Sequence, residues 1–139
     1  MPLDHFSVIV PAAKLDGMVE FLISSLGHLG FKEHMRPIPT VIGMGDAMPF
    51  LWLYGAEAAE GDVATTQEKL IKMQHIAFTA ENAEQVRAYH AAALKAGGTC
   101  NGAPGPRPQY HPGYYGAFVL DPVCGINVEV VCHSCVGEA

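Results

Sequence analysis

The sequence predicts an α+β domain built from two βαβββ repeats, and three observations carry that prediction. First, two segments share one layout: "LDHFSVIVPAAKLDGMVEFLISSLGHLGF" from Leu3 and "MQHIAFTAENAEQVRAYHAAALKAGGTC" from Met73 each read as strand, break, helix and Gly-marked exit. Second, each segment is followed by three short extended stretches punctuated by Gly and Pro. Third, the chain has 139 residues and is 50% hydrophobic, enough for one domain with a real core. A single βαβββ unit is too small to hide its own sheet, so two copies packed edge to edge would bury a shared surface.

The elements follow in order. "HFSVIV" alternates as a strand and stops at Pro11. Met18, Phe21, Leu22 and Leu26 fall at helical spacing and predict the first helix. The strands "FKEHMRP", "PTVIGMG" and "MPFLWLYG" complete module one, residues 1–57. A polar linker over 58–70, "AAEGDVATTQEKL", separates the modules. Module two, residues 71–135, opens with "QHIAFTA" and a helix carrying Val86, Tyr89, Ala93 and Leu94 on one face. Asn82 is its expected N-cap, with Gln85 three residues later in capping-box position. The strands "GTCNGAP", "GYYGAFVLDP" and "INVEVVC" close the repeat.

Composition excludes several classes of function. Net charge is −6, with eight Lys and Arg and no basic run, which argues against nucleic-acid binding. The start, "MPLDHFSVIV", lacks a charged leader and a cleavage site, and its apolar run is too short to span a membrane. A cytoplasmic protein with no membrane partner is therefore expected. Cys100, Cys124, Cys132 and Cys135 are expected as free thiols. "CHSC" offers one Cys-x-x-Cys pair without a well-spaced second pair, a poor match to structural zinc.

Strand alternation places His5, Ser7 and Ile9 on one face of the first strand, and His75, Ala77 and Thr79 on the matching face of its copy. In "INVEVV", Glu129 shares a face with Val131. A carboxylate among valines must face water, pair with a cation or bind a metal, because an unpaired buried charge is costly. Two imidazoles and one carboxylate at repeated strand positions form a facial triad that leaves coordination sites open. His5, His75 and Glu129 are thus the candidate ligands of one divalent metal ion, with Fe(II), Mn, Zn and Ni all compatible.

"LDHFSVIV", "QHIAFTA" and "FVLDPVCGINVEVV" resemble the vicinal oxygen chelate superfamily, which includes glyoxalases, extradiol dioxygenases and bleomycin-resistance proteins. The resemblance covers nearly the whole chain. It implies paired βαβββ modules related by a pseudo-two-fold axis, forming a cupped mixed sheet with helices on the outer face. It also implies that His5, His75 and Glu129 match three ligand positions. A fourth glyoxalase ligand would fall at Trp52, so the set resembles the three-ligand extradiol arrangement. His111, Asp121-Pro122, Gly125 and Glu129 fit the extradiol order, but Phe118 stands where that pattern has Tyr.

The expected function is a metal-dependent enzyme, a lyase, isomerase or dioxygenase, acting on a small substrate that chelates metal through vicinal oxygens. A non-catalytic binder of the resistance type is the alternative. His111, in "YHPGYYG", is the expected acid/base, and Tyr115 the expected catalytic phenol. Tyr114 and Tyr115 should split, one packing inward and one lining the pocket. Trp52, Arg107, Tyr114 and Phe118 are the expected substrate contacts, with Arg107 reading either as an anion holder or as a surface residue. A homodimer is the expected association.

Overall fold

The computed structural model describes residues 6–57, 67–68, 70–71 and 74–139. His5 and most of the expected 58–70 linker lie outside the described residues. Module one contains β1 (Phe6–Pro11), α1 (Leu15–Leu26), β2 (Lys32–Ile38), β3 (Val41–Gly45) and β4 (Pro49–Ala56). Module two contains β5 (His75–Thr79), α2 (Ala83–Lys95), β6 (Thr99–Pro106), β7 (Tyr115–Leu120) and β8 (Asn127–Cys132).

The strands form two four-stranded mixed sheets of identical topology, ordered β1-β4-β3-β2 and β5-β8-β7-β6. In each, the first strand runs parallel to the last and the remaining pairs are antiparallel. Register repeats as well: Ser7 pairs with Trp52 as Ala77 pairs with Glu129. His75 precedes Ala77 by two residues, as His5 precedes Ser7 in the sequence. The repeat therefore extends from chain order to individual backbone pairings.

Burial follows alternation. Val8, Val10, Ile76 and Phe78 face the helices and are buried, whereas Ser7, Ile9, His75, Ala77 and Thr79 lie on the exposed face. All four expected core residues of α1 are buried. On α2, Val86, Tyr89 and Ala93 are buried, but Leu94 is 40% exposed. Leu94 follows Ala93 directly and turns away from the face that Tyr89 and Ala93 share. Asn82 accepts the Gln85 N–H at 2.9 Å. The Gln85 side chain reaches the N–H of Glu81, one residue before the cap.

One hydrophobic cluster runs through both modules, and α1 touches α2. At their junction Phe31, Phe50 and Phe78 pack with centroids 5.5 to 6.0 Å apart. The Gln74 side chain donates to the Ile9 carbonyl at 3.1 Å, tying the start of β5 to β1.

The β7–β8 turn sets the register of Glu129. The buried Asp121 carboxylate accepts the N–H groups of Val123, Cys124 and Ile126 at 2.6 to 2.7 Å. Three charge-assisted bonds satisfy the backbone of a tight connection. Gly125 takes φ of 77°, a conformation in which a side chain is strained.

The cysteines depart from the expectation of free thiols. Cys132 and Cys135 form a disulfide, while Cys100 and Cys124 are free. The β8 exit curls so that their Cα atoms stand 6.2 Å apart, within the span a disulfide bridges.

Candidate metal and substrate site

Glu129 is 3% exposed, on the sheet face that carries His75. Its two carboxylate oxygens have different partners. Oε1 accepts a short hydrogen bond from the Tyr114 hydroxyl. Oε2 lies 3.1 Å from Nε2 of His75, whose Nδ1 lies 3.0 Å from the carbonyl oxygen of Asn127.

That geometry constrains the imidazole. A carbonyl oxygen only accepts, so Nδ1 carries the proton that reaches it. In neutral His75 this leaves the Nε2 lone pair aimed at Glu129 Oε2, two acceptors face to face. A proton between Nε2 and Oε2, carried by either group, or a cation between the pair resolves the conflict. A backbone carbonyl on the far ring nitrogen is the support that metal-ligating histidines commonly have. The 3.1 Å separation also matches two donor atoms sharing one ion at about 2.1 Å from each. The residues present therefore fit a divalent cation.

Among the described residues no three His, Cys, Asp or Glu side chains converge as a metal cluster. His75 and Glu129 converge as a pair, and the third expected ligand, His5, lies outside the described residues.

Tyr114, Gly116 and Phe118 share the Glu129 side of the sheet. A Cβ at Gly116 would stand 3.2 Å from both Glu129 Oε1 and the Tyr114 ring, so glycine leaves the gap in which phenol and carboxylate meet. Burial first, and then the bond to Glu129, push the Tyr114 phenol well above its ordinary range. Tyr114 thus remains a protonated donor at neutral pH.

Phe118 pairs with Glu129 across the ladder and stacks on His75 with centroids 6.3 Å apart. The Arg107 guanidinium lies over the other part of this stack, 5.5 Å from the Phe118 centroid. Its position is fixed by bonds to the carbonyls of Ala103, Gly105 and Pro106. Gly102 and Gly105 leave room for it, since a Cβ on either would press the guanidinium at 3.2 to 3.3 Å.

His111 does not bond to Glu129 or His75. Its Nδ1 accepts the Gly113 N–H, and its Nε2 lies 2.9 Å from Nδ1 of His133. Both rings meet Tyr114 edge to face, at 5.5 and 5.4 Å. His111 therefore adjoins the site through Tyr114.

Tyr115, the expected catalytic phenol, lies on the other side of the sheet from Glu129. It is 1% exposed and points to the helix side, where its hydroxyl meets Arg87 and the Ala139 carbonyl. Strand alternation separates it from Tyr114, which takes the pocket position. Trp52 occupies the module-one position equivalent to Glu129 and lies across Gly43, where a Cβ would come within 2.9 Å of the indole. Leu53 is buried in the core, and Phe50 packs at the module junction.

A cavity of about 400 Å³ lies at the module junction, bounded by Phe6, Leu29, Phe31 and Phe50 with Asp46 as a polar group. It reaches Ala77 and Thr79, the residues that follow His75 on its own face. Its size suits a small organic molecule.

His133, Gly116 and Gly102 were not singled out by the sequence. The signal for Gly116 is its alternation with Tyr114 and Phe118. His133 sits inside "CHSC", where the thiols dominate the reading.

The family model for the glyoxalase/bleomycin resistance protein/dioxygenase superfamily matches residues 3–130. No functionally curated protein matches the sequence. Among solved structures, a glyoxalase/bleomycin resistance protein from Albidiferax ferrireducens T118 is 23% identical with TM-score 0.69, covering 93% of this chain and 97% of that one. A glyoxalase/bleomycin resistance protein/dioxygenase family enzyme from Burkholderia phytofirmans PsJN is 17% identical with TM-score 0.65, covering 96% and 99%. Lactoylglutathione lyase from Agrobacterium tumefaciens is 17% identical with TM-score 0.63, covering 99% and 98%. At these identities the likeness to solved structures establishes the fold alone.

Proposed function

Because the chain belongs to the glyoxalase/bleomycin resistance protein/dioxygenase superfamily, the vicinal oxygen chelate superfamily, we propose that it is a metal-dependent enzyme. Its substrate would be a small molecule offering two neighbouring oxygens, transformed by enolate-type or oxygenation chemistry. The observation that carries this reading is a buried carboxylate, Glu129, facing the lone-pair nitrogen of His75.

His75 and Glu129 would hold the ion, with His5 as the proposed third ligand. A divalent ion, Fe(II), Mn, Zn or Ni, supplies Lewis-acid stabilisation of negative charge on substrate oxygens when bound. The chain's own residues do the rest. Asn127 fixes the His75 ring through its carbonyl. Tyr114 holds a proton at its hydroxyl and orients Glu129. Phe118 presents an apolar ring beside His75, and Arg107 places a positive charge over that ring, suited to an anionic substrate group. His111, bonded to His133 and packed on Tyr114, would exchange a proton with bound substrate. Trp52 would line the module-one half of the cup.

The test is turnover of Fe(II)-loaded protein in an oxygen electrode. Catechols giving oxygen uptake and a coloured product assign ring cleavage. Metal-dependent turnover of α-hydroxycarbonyl compounds or hemithioacetals without oxygen uptake assigns isomerase or lyase chemistry. Small-molecule binding that is indifferent to metal, with no turnover, would replace this reading with the non-catalytic binder.

A further inference from the structure

The disulfide, unused by the proposed chemistry, sits three residues beyond Glu129 on the same strand. The loop it closes, Cys132 to Cys135, touches the tyrosine segment at four points. The Cys135 N–H donates to the Gly113 carbonyl at 3.0 Å. His133 Nδ1 lies 2.9 Å from His111 Nε2. The His133 ring stacks on His111 and stands edge-on to Tyr114, with centroids 5.2 and 5.4 Å away. The His133 carbonyl lies so close to Gly113 that a Cβ there would approach it to 2.4 Å. Cys132 is fully buried and Cys135 is 9% exposed, so the bridge is anchored to the core on one side.

We infer that Cys132–Cys135 is a thiol–disulfide latch: the bridge holds His133 against His111 and Tyr114, and its reduction releases the loop and loosens Glu129. His133 is the positioning residue. Gly113 accepts from the loop and Tyr114 donates to Glu129, so slack in the loop passes to the carboxylate through two residues. Tyr114 lies just before the first residue of β7, its backbone bonded to Arg107 and His111 and its ring packed on His133. Breaking the S–S bond opens the ring that closes residues 132–135. The β8 ladder up to Cys132 keeps its partners.

The reaction is balanced with a dithiol as reductant. A thiolate attacks one sulfur, a mixed disulfide forms, and the second thiol displaces it, leaving two protein thiols and one oxidised dithiol. Two electrons and two protons pass to the protein. A dithiol–disulfide couple of this kind is the chemistry that redox-sensing bridges use.

The experiment compares oxidised protein with protein reduced by a dithiol and desalted without oxygen. Unfolded oxidised protein should show two titratable thiols, Cys100 and Cys124, and the reduced protein four. Amide exchange at Cys135 and across 110–114 should rise at least tenfold on reduction. Mn(II), chosen because thiols bind it poorly, should lose about tenfold in affinity, the usual effect of losing an outer support. His133→Asn in oxidised protein should reproduce the exchange and affinity changes with the thiol count unaltered. Four thiols in air-purified protein, or exchange unchanged by reduction, overturns the latch. The Mn(II) arm rests on the metal reading above: increased exchange with no Mn(II) binding in either state supports the latch and refutes that reading.

Discussion

Tyr114→Phe removes one oxygen atom and tests how Glu129 is held. Its ring packs on Tyr110, His111 and His133 at 4.8 to 5.5 Å, contacts a phenylalanine keeps. What disappears is the hydroxyl bonded to a carboxylate that is 3% exposed. A hydrogen bond to a charged group contributes about 1.5–3 kcal/mol, and the orphaned acceptor remains buried. A loss of about 2 kcal/mol follows. For a domain of this size the urea slope is about 1.5 kcal/mol/M, so the midpoint should fall by about 1.3 M with the slope unchanged. Urea unfolding of metal-free protein at neutral pH, followed by circular dichroism, measures it. Tyr110→Phe is the control, because that ring is 62% exposed and should leave the midpoint in place. A Tyr114→Phe midpoint within about 0.3 M of the parent would show that the phenol does not carry the carboxylate.

Three further outcomes are expected. Asp121→Ala strips three backbone N–H groups of their acceptor and should cost about 3–5 kcal/mol by urea unfolding, at the upper end for single substitutions. A cost below about 1 kcal/mol would mean the turn holds without the carboxylate. Gly116→Ala places a methyl 3.2 Å from Glu129 Oε1 and the Tyr114 ring. It should weaken divalent-ion affinity about tenfold while leaving the fold intact by circular dichroism, and unchanged affinity would discount the gap. Alkaline pH gives the third. Burial first, then the Glu129 bond, raises Tyr114, and burial first, then Asp121 and Glu129, raises Tyr89. Both folded values lie above the unfolded value of about 10. Their contribution is complete below about pH 10 and is lost as pH rises through the folded values. Stability should therefore fall above about pH 10, in step with late-titrating tyrosine absorbance at 295 nm. Stability that is flat through that range would contradict the assignment.

The repeat made the fold legible. Strand–helix–strand order, Gly and Pro breaks and the cap at Asn82 are local signals, and all survive in the structure. His75 and Glu129 were legible because period-two alternation gives each strand residue a face. Tyr114 against Tyr115 could not be resolved the same way. Adjacent residues face opposite sides, and the phase of β7 depends on its pairing with β8, which places Tyr115 opposite Cys132. His133 was hidden because its role comes from a loop curled by a disulfide, a long-range fact about the 111–114 segment. Leu94 misled because helical spacing alone does not mark where the buried stripe ends. Arg107 was ambiguous for a related reason: only the bends of β6 bring three carbonyls to its guanidinium.

The proposed function turns on a divalent ion held by His75 and Glu129. Metal content by mass spectrometry, on protein purified without chelators and compared with Glu129→Ala, tests it most directly. One divalent ion per chain in the parent and none in the variant is the predicted result. Equal metal content in both proteins, or a parent that takes up no divalent ion when one is supplied, would contradict it.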